Sequence, residues 1–364
     1  MLSSLHLRNF RSHSDFSLDC DSKNVVISGE NGVGKTNILE AISMLSAGKG
    51  FRGASTLEQL RHEAGQIADF WFIQADLELE KSHKLVTGFD PKNSSKRIIK
   101  IDGEVSARQA ELLQYLHVIW FLPTQSHLFL SPSSERRKYF DRIVYGFDAN
   151  HANLINAYEH YVRERSKLFK IPNYDSGWAD ALEAKIADYS LQIAKKRAHA
   201  LNKITSAMNQ IPNIFPKAQL KLNGDVEDLL SNNLSDEFIK EAIIAKLQQN
   251  RFHDARSGRC SVGAHKTKLE VNYIDKQMPA ELCSTGEQKA LLISILIAQI
   301  NCLIEYKTNH QAIILLLDEA AAHLDRWRRA ALFELIDKAG VQLFATATEA
   351  EIFAELPNIL HVKL

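Results

Sequence analysis

The sequence predicts an α/β fold whose sheet is interrupted by a long helical insertion, and three stretches carry that expectation. A buried-type run, Val25-Val26-Ile27, leads into a glycine-rich loop and then into a segment with Ile38, Ile42 and Leu45 on one face. A second apolar run, residues 313–317, ends in Asp318 and Glu319, as a parallel strand buried on both faces does at a ligand-bearing edge. Between them, from Ser133 to about Asn250, the pattern is helical. Leu182, Ile186, Tyr189 and Ile193 fall at spacings of four, three and four, and Leu201, Ile204 and Met208 continue the stripe.

Shorter strands are expected over residues 5–10, 70–80, 97–101 (leading into an Asp102-Gly103 turn) and 269–274. The chain therefore divides into residues 1–131 and 253–364, two parts of one nucleotide-binding head, and residues 132–252, a helical lobe. No internal repeat or low-complexity tract interrupts this plan.

Composition sets the outer bounds. A chain of 364 residues with 45% apolar side chains can bury a full core without staples. Lys plus Arg and Asp plus Glu both total 44, so any surface for a polyanion must be a local patch. Cys20, Cys260, Cys283 and Cys302 form no CxxC pair, which argues against a zinc finger or a disulfide framework and for reduced thiols. The N-terminus lacks a signal-peptide run, and the most apolar segment, residues 290–300, is broken by Ser294 and Gln299 and is short for a bilayer. The expectation is a soluble cytoplasmic protein with no membrane partner.

Gly29-Glu30-Asn31-Gly32-Val33-Gly34-Lys35-Thr36 fits G-x-x-x-x-G-K-[ST]. Glycines let the backbone curl so that several N–H groups converge on one anion, and the helix that follows adds its positive end. The expected ligand is ATP with Mg²⁺: Lys35 reaches the terminal phosphates, and Thr36 offers its hydroxyl to the cation. Asp318 would hold the same cation through water, and Glu319 would orient or deprotonate the attacking water. Ser284 and Gly286, at the start of another apolar helix, make a second anion-binding end. They read equally as a capping box, with Ser284 as cap and Glu287 three residues on.

Phosphate loop, S-x-G-x-Q signature and D-E followed by Leu324-Asp325 together resemble the ABC-type ATPases. Loop and signature lie about 250 positions apart, a gap that suits a compact lobe. The resemblance implies a P-loop ABC-type ATPase head split by an inserted helical lobe.

More specifically, LRNFRSH near the start, GENGVGKTNILEAI at 29–42, GFR at 50–52, SERRKYFDR at 134–142, STGEQKALLIS at 284–294 and LLLDEAAAHLD at 315–325 occur in the order of the RecF family. The chain resembles that family of bacterial DNA-gap repair proteins over essentially its whole length. The resemblance implies an ATP-dependent homodimer on single-stranded and gapped DNA, with weak, DNA-stimulated hydrolysis. It also implies action with RecO and RecR in loading the recombinase, and roles in recombinational repair and the SOS response.

By the same resemblance Lys35 and Thr36 are the phosphate-loop pair, Ser284 the signature serine and Asp318 and Glu319 the acidic pair. Asp325 lies in the D-loop at the dimer interface, and Thr346 stands where transporters carry a switch histidine. Gln125, or else Thr124, is the candidate Q-loop residue. Gly263-Ala264-His265-Lys266 departs at two positions from the family's G-P-H-R.

Candidate DNA contacts are Arg8, Arg11, Arg52 and Arg61 and the clusters Arg136-Arg137-Lys138, Arg163-Glu164-Arg165 and Lys195-Lys196-Arg197. Each also reads as a solvated helix face. In SMC-type heads an arginine at the place of Arg52 can link nucleotide to DNA. A transporter motor subunit and a small-molecule kinase are the alternatives. The insertion counts against the first and the signature against the second.

Overall fold

The strand Asn24–Ser28 finds its neighbours at the far end of the chain. In the computed structural model, which describes residues 1–63, 65–106, 108–232, 234–306, 310–319 and 324–364, it belongs to a five-stranded parallel sheet. The order is Leu116–Phe121, Ala312–Asp318, Gln342–Ala347, Asn24–Ser28, Ile359–Lys363. The expected apolar strand is the second of these, and every residue of Ala312–Asp318 is buried. Its register sets Asp318 opposite Thr346, while Ala347 lies opposite Ser28. Strand ends that carry the phosphate loop and the carboxylate therefore share one edge.

Across this sheet lies the phosphate-loop helix, Lys35–Ser43, with Ile38, Leu39 and Ile42 fully buried. A second, antiparallel sheet runs His13–Asp19, Leu2–Phe10, Trp71–Glu78, Ser82–Phe89, Ile98–Ile101, Glu104–Val105. Alternation puts Leu5 and Leu7 on the face that also receives Trp71, Ile73, Ala75 and Leu77; an irregularity between Leu2 and Ser4 and the left-handed Asn9 bring Leu2 and Phe10 to it, and all join one core with Val25, Ile314 and Phe344. Two sheets and a helix thus share a single apolar interior.

The chain folds as two units: residues 1–126, 212–215 and 303–364 make the first, and 127–211 with 216–302 the second. The expected lobe, 132–252, falls in the second unit except for residues 212–215, and that unit continues to residue 302. Strand pairing is the reason. Lys268–Tyr273 pairs antiparallel with Ala218–Asn223 rather than with a head strand, and Ser294 Oγ donates to the Pro216 carbonyl at 2.6 Å.

Helices Ser133–Phe147, His151–Leu168, Ser176–Gln210 and Asp236–Gln249 supply most of this second unit. The signature helix, Thr285–Tyr306, is longer than the apolar segment suggested. It meets the length and hydropathy of a membrane span, but most of it is buried, as in a core helix. All four cysteines are free and buried.

Two arginines expected at the surface are core residues. Arg165 is fully buried and donates to Glu183 Oε1 at 2.9 Å, Asp254 Oδ2 at 2.6 Å and the Leu247 carbonyl at 2.8 Å. Arg197 is equally buried, with both Asp141 oxygens at 2.7 and 2.8 Å and the Ala264 carbonyl at 2.7 Å. Burial alone would raise Asp141, but Arg197 and His151 outweigh it and hold the carboxyl at about 2. The 263–266 segment is structural too: His265 bonds Tyr158 Oη at 2.5 Å and the Cys260 carbonyl at 2.8 Å, and burial lowers its pKa to about 4.

Arg165→Ala leaves Asp254 buried without its cation. Urea unfolding should show a loss of about 3–5 kcal/mol, whereas Lys195→Ala, which breaks the half-exposed pair with Asp236, should cost less than about 1 kcal/mol.

Candidate nucleotide site

Local backbone chemistry builds the loop. Gly29 and Gly34 both adopt positive φ, +151° and +102°, and a Cβ at either would stand within 2.8 Å of a neighbouring atom. Only glycine fits there. Glu30, Asn31, Gly32 and Val33 are exposed, whereas Lys35 is buried and folded back over the loop. Its ammonium donates to the Gly29 and Glu30 carbonyls, each at 2.8 Å. The loop thus holds a cation in its own mouth.

Thr36 Oγ1 donates to Asp318, 2.9 Å from Oδ1 and 3.1 Å from Oδ2. Thr346 Oγ1 donates to Asp318 Oδ1 at 2.6 Å and accepts from the Glu319 N–H at 3.1 Å. Glu319 itself is exposed, with a left-handed φ of +52° that turns its side chain off the strand. Sequence reasoning singled out Thr346 by position alone. The structure shows its contact: one hydroxyl joins the Asp318 carboxylate to the Glu319 backbone N–H.

These oxygens fit a divalent cation in part. Hydroxyl and carboxylate are the hard donors Mg²⁺ prefers, yet among the described residues no group of three or more His, Cys, Asp or Glu could hold a metal. A cation here needs further oxygens from a phosphate ligand and water.

Ser284 and Gly286 belong to the other unit. Ser284 is in the capping box: its N–H and Oγ donate to Glu287 Oε2 at 2.9 and 2.8 Å, and its Oγ accepts from the Glu287 N–H at 3.4 Å. Glu287 also pairs with Lys276, and that bond together with those from Ser284 holds its carboxyl at about 2. Gln125 folds onto its own turn, accepting from the Leu122 N–H at 2.9 Å. Asp325 caps the helix Arg326–Lys338 through the Arg328 N–H at 2.9 Å. Residues 320–323 of the LLLDEAAAHLD motif lie outside the described residues.

A residue that sequence reasoning missed is Glu40, fully buried on the phosphate-loop helix. It accepts from Arg11 Nε at 2.9 Å and Nη2 at 2.6 Å, and from Arg52 Nη1 at 2.7 Å. Arg11 and Arg52 are therefore spent on a buried carboxylate, and Arg61 pairs with Glu63. Arg8 is exposed, 5.9 Å from the Phe70 ring centroid. A glutamate beside the apolar stripe, with arginines in the two flanking motifs, was the available signal.

The RecF/RecN/SMC N terminal domain model matches residues 1–364. The DNA replication and repair protein RecF of Rickettsia bellii (strain OSU 85-389) is 38% identical over 98% of this chain and 97% of its own length. That of Rhizobium rhizogenes is 37% identical over 98% and 94%. Among solved structures, the recombination mediator protein RecF-ATPrS in the RecFOR pathway superposes with a TM-score of 0.85 at 22% identity, covering 100% of this chain and 96% of that one. An Smc head bound to the C-winged helix domain of ScpA gives 0.53 at 16% identity, over 100% and 94%. The fold is that of the RecF and SMC ATPase heads, and the transporter alternative is not favoured.

Glu40→Ala strands the mostly buried Arg11 guanidinium, so urea unfolding should register a loss of about 2–3 kcal/mol. Arg52→Ala, at a 38% exposed side chain, should cost less than about 1 kcal/mol.

Proposed function

The chain belongs to the RecF family of DNA replication and repair proteins, and from that premise we propose that it is an ATP-gated DNA-binding protein with slow ATPase activity. One observation carries the reading: Lys35, Thr36 and Asp318 meet at one edge of a parallel sheet, with Thr36 and Asp318 in direct hydrogen bond.

In this reading Lys35 leaves the Gly29 and Glu30 carbonyls for the β and γ phosphates, exchanging neutral acceptors for anionic ones. Thr36 and Asp318 would together hold Mg²⁺, which when bound would supply positive charge toward the phosphates. Thr346 keeps Asp318 and the Glu319 backbone in register as they do so. Glu319, already turned off its strand, orients the attacking water. Gly29 to Thr36 supply the phosphate-binding backbone, and Ser284 with Gly286 meets the γ-phosphate from a second copy.

ATP thereby closes a homodimer on single-stranded or gapped DNA, and ADP, lacking the γ-phosphate, does not. RecR and RecO are the protein partners of this reading, recombinational gap repair and the SOS response its setting, and the cytoplasm its place. DNA contacts fall to basic side chains outside the buried clusters, so Arg165, Arg197 and Arg11 are removed from the candidates. Backbone contacts make DNA affinity fall steeply with salt.

ATP should tighten DNA binding and ADP should not, as read by fluorescence anisotropy on gapped, single-stranded and duplex DNA across a salt series. Lys35→Met should lose the effect with ATP binding itself, and Glu319→Gln should hold ATP and prolong the DNA complex. Equal affinity in ATP and ADP would overturn the gating.

Mixing two inactive variants, Lys35→Met and Ser284→Arg, tests the shared site. If each site draws on both copies, half the dimers are mixed and each mixed dimer keeps one intact site, so about a quarter of all sites recover by two-fold symmetry. No recovery in single-turnover hydrolysis or nucleotide trapping, with mixed dimers shown to form, would place Ser284 outside the partner's site.

A further inference from the structure

The hairpin between the first two strands, Leu2–Phe10 and His13–Asp19, reaches the phosphate loop and closes on it. Asn9 and Arg11 adopt left-handed φ of +53° and +54°, which bends the chain sharply enough to bring three consecutive side chains onto one helix. Arg11 binds Glu40, Ser12 Oγ accepts from Asn37 Nδ2 at 2.8 Å, and His13 Nε2 lies 3.1 Å from the Gly34 carbonyl. The approach is tight. A Cβ on Gly34 would stand 2.4 Å from Ser12 Oγ and 2.8 Å from His13 Nε2.

A carbonyl can only accept, so the imidazole must carry its proton on Nε2 and donate it. Burial lowers the His13 pKa against the opposing pull of the Gly34 bond, which favours the neutral ring. The Gly34–Lys35 peptide is trans and planar, so fixing the Gly34 carbonyl fixes the Lys35 N–H in the opposite direction. That N–H is at the open end of the helix, where an anion is received. The Asn37 and Ile38 N–H groups also reach the Gly34 carbonyl, at 2.9 and 3.3 Å, but both belong to the same helix. His13 ties the carbonyl to the antiparallel sheet.

We propose that His13 is a positioning residue for the nucleotide: its Nε2–H holds the Gly34 carbonyl and so aims the Lys35 N–H into the phosphate loop. The inference rests on the reading of this loop as the ATP site, and it concerns affinity for the phosphates shared by ATP and ADP. His13 acts through the loop backbone and takes no part in hydrolysis.

The test is calorimetry of Mg²⁺–ATP and of ADP on the full chain at neutral pH, with the parent and Lys35→Met alongside. His13→Leu keeps bulk and loses the donor. It should bind both nucleotides about three- to tenfold more weakly, the worth of one hydrogen bond. His13→Gln places an amide N–H near the position of Nε2 and should bind within about twofold of the parent. Urea unfolding without nucleotide should stay cooperative in both variants, with the midpoint of His13→Leu lowered by no more than the loss of one hydrogen bond. Parent-like affinity in His13→Leu would overturn the inference, as would a His13→Gln no better than His13→Leu. Should His13→Leu fail to fold, His13→Gln decides alone: parent-like affinity supports the bond and tenfold weakening refutes it. A parent that binds no ATP would instead overturn the reading of the loop.

Discussion

The strand Gln342–Ala347 sets the register on which the site depends. It pairs with Asn24–Ser28 on one side and Ala312–Asp318 on the other, so it sets the register between the phosphate loop and the acidic pair. Its side chains extend the same control. Gln342 accepts from the Leu2 N–H at 2.7 Å and donates to the Leu2 carbonyl at 2.8 Å, tying the antiparallel sheet to the parallel one. Thr346, four residues on, holds Asp318. A slip of one residue would move Asp318 by about 3.3 Å and turn it to the opposite face of the sheet.

Charge is used inward as much as outward. Arg11, Arg165 and Arg197 each meet buried or partly buried carboxylates, with backbone carbonyls taking further donors from all three. A guanidinium suits this because its planar fork satisfies several acceptors at once. Replacing such a set wholesale by apolar groups can be neutral, whereas removing one member leaves an ion stranded. The clusters therefore penalise misassembly of the helices that carry them.

Those same residues show what the sequence made legible. Strands Asn24–Ser28 and Ala312–Asp318, the phosphate loop and the stripe along Ser176–Gln210 were readable because each repeats a local period or a short motif. Arg163-Glu164-Arg165 looked like one solvated run. Residues two apart on a helix, however, face nearly opposite ways: Arg163 pairs outward with Glu159, while Arg165 falls in phase with the buried Leu154, Tyr158 and Leu168. Arg197 likewise continues the stripe of Ile193, Ala194 and Ile204. Phase, rather than charge, separated core from surface. The placement of residues 253–302 in the second unit had no local signature, because it depends on pairing between distant segments, and the Glu40 clamp had only a charge beside an apolar stripe.

That distance has a bearing on how the protein is made. Val25, Val26 and Ile27 leave the ribosome early, but their partners Phe344, Ala345 and Thr346 are synthesised about three hundred residues later. At about 10 residues per second the interval is roughly half a minute. For that time a short strand with an apolar centre, Val25 to Ile27, has no sheet to join, whereas the helical unit, residues 127–211 and 216–302, is fully synthesised before Phe344 emerges. Nascent chains should therefore expose the nucleotide-binding half as a late-closing, chaperone-dependent segment, and any early stop before Gln342 would leave the phosphate loop without the strand that sets its position.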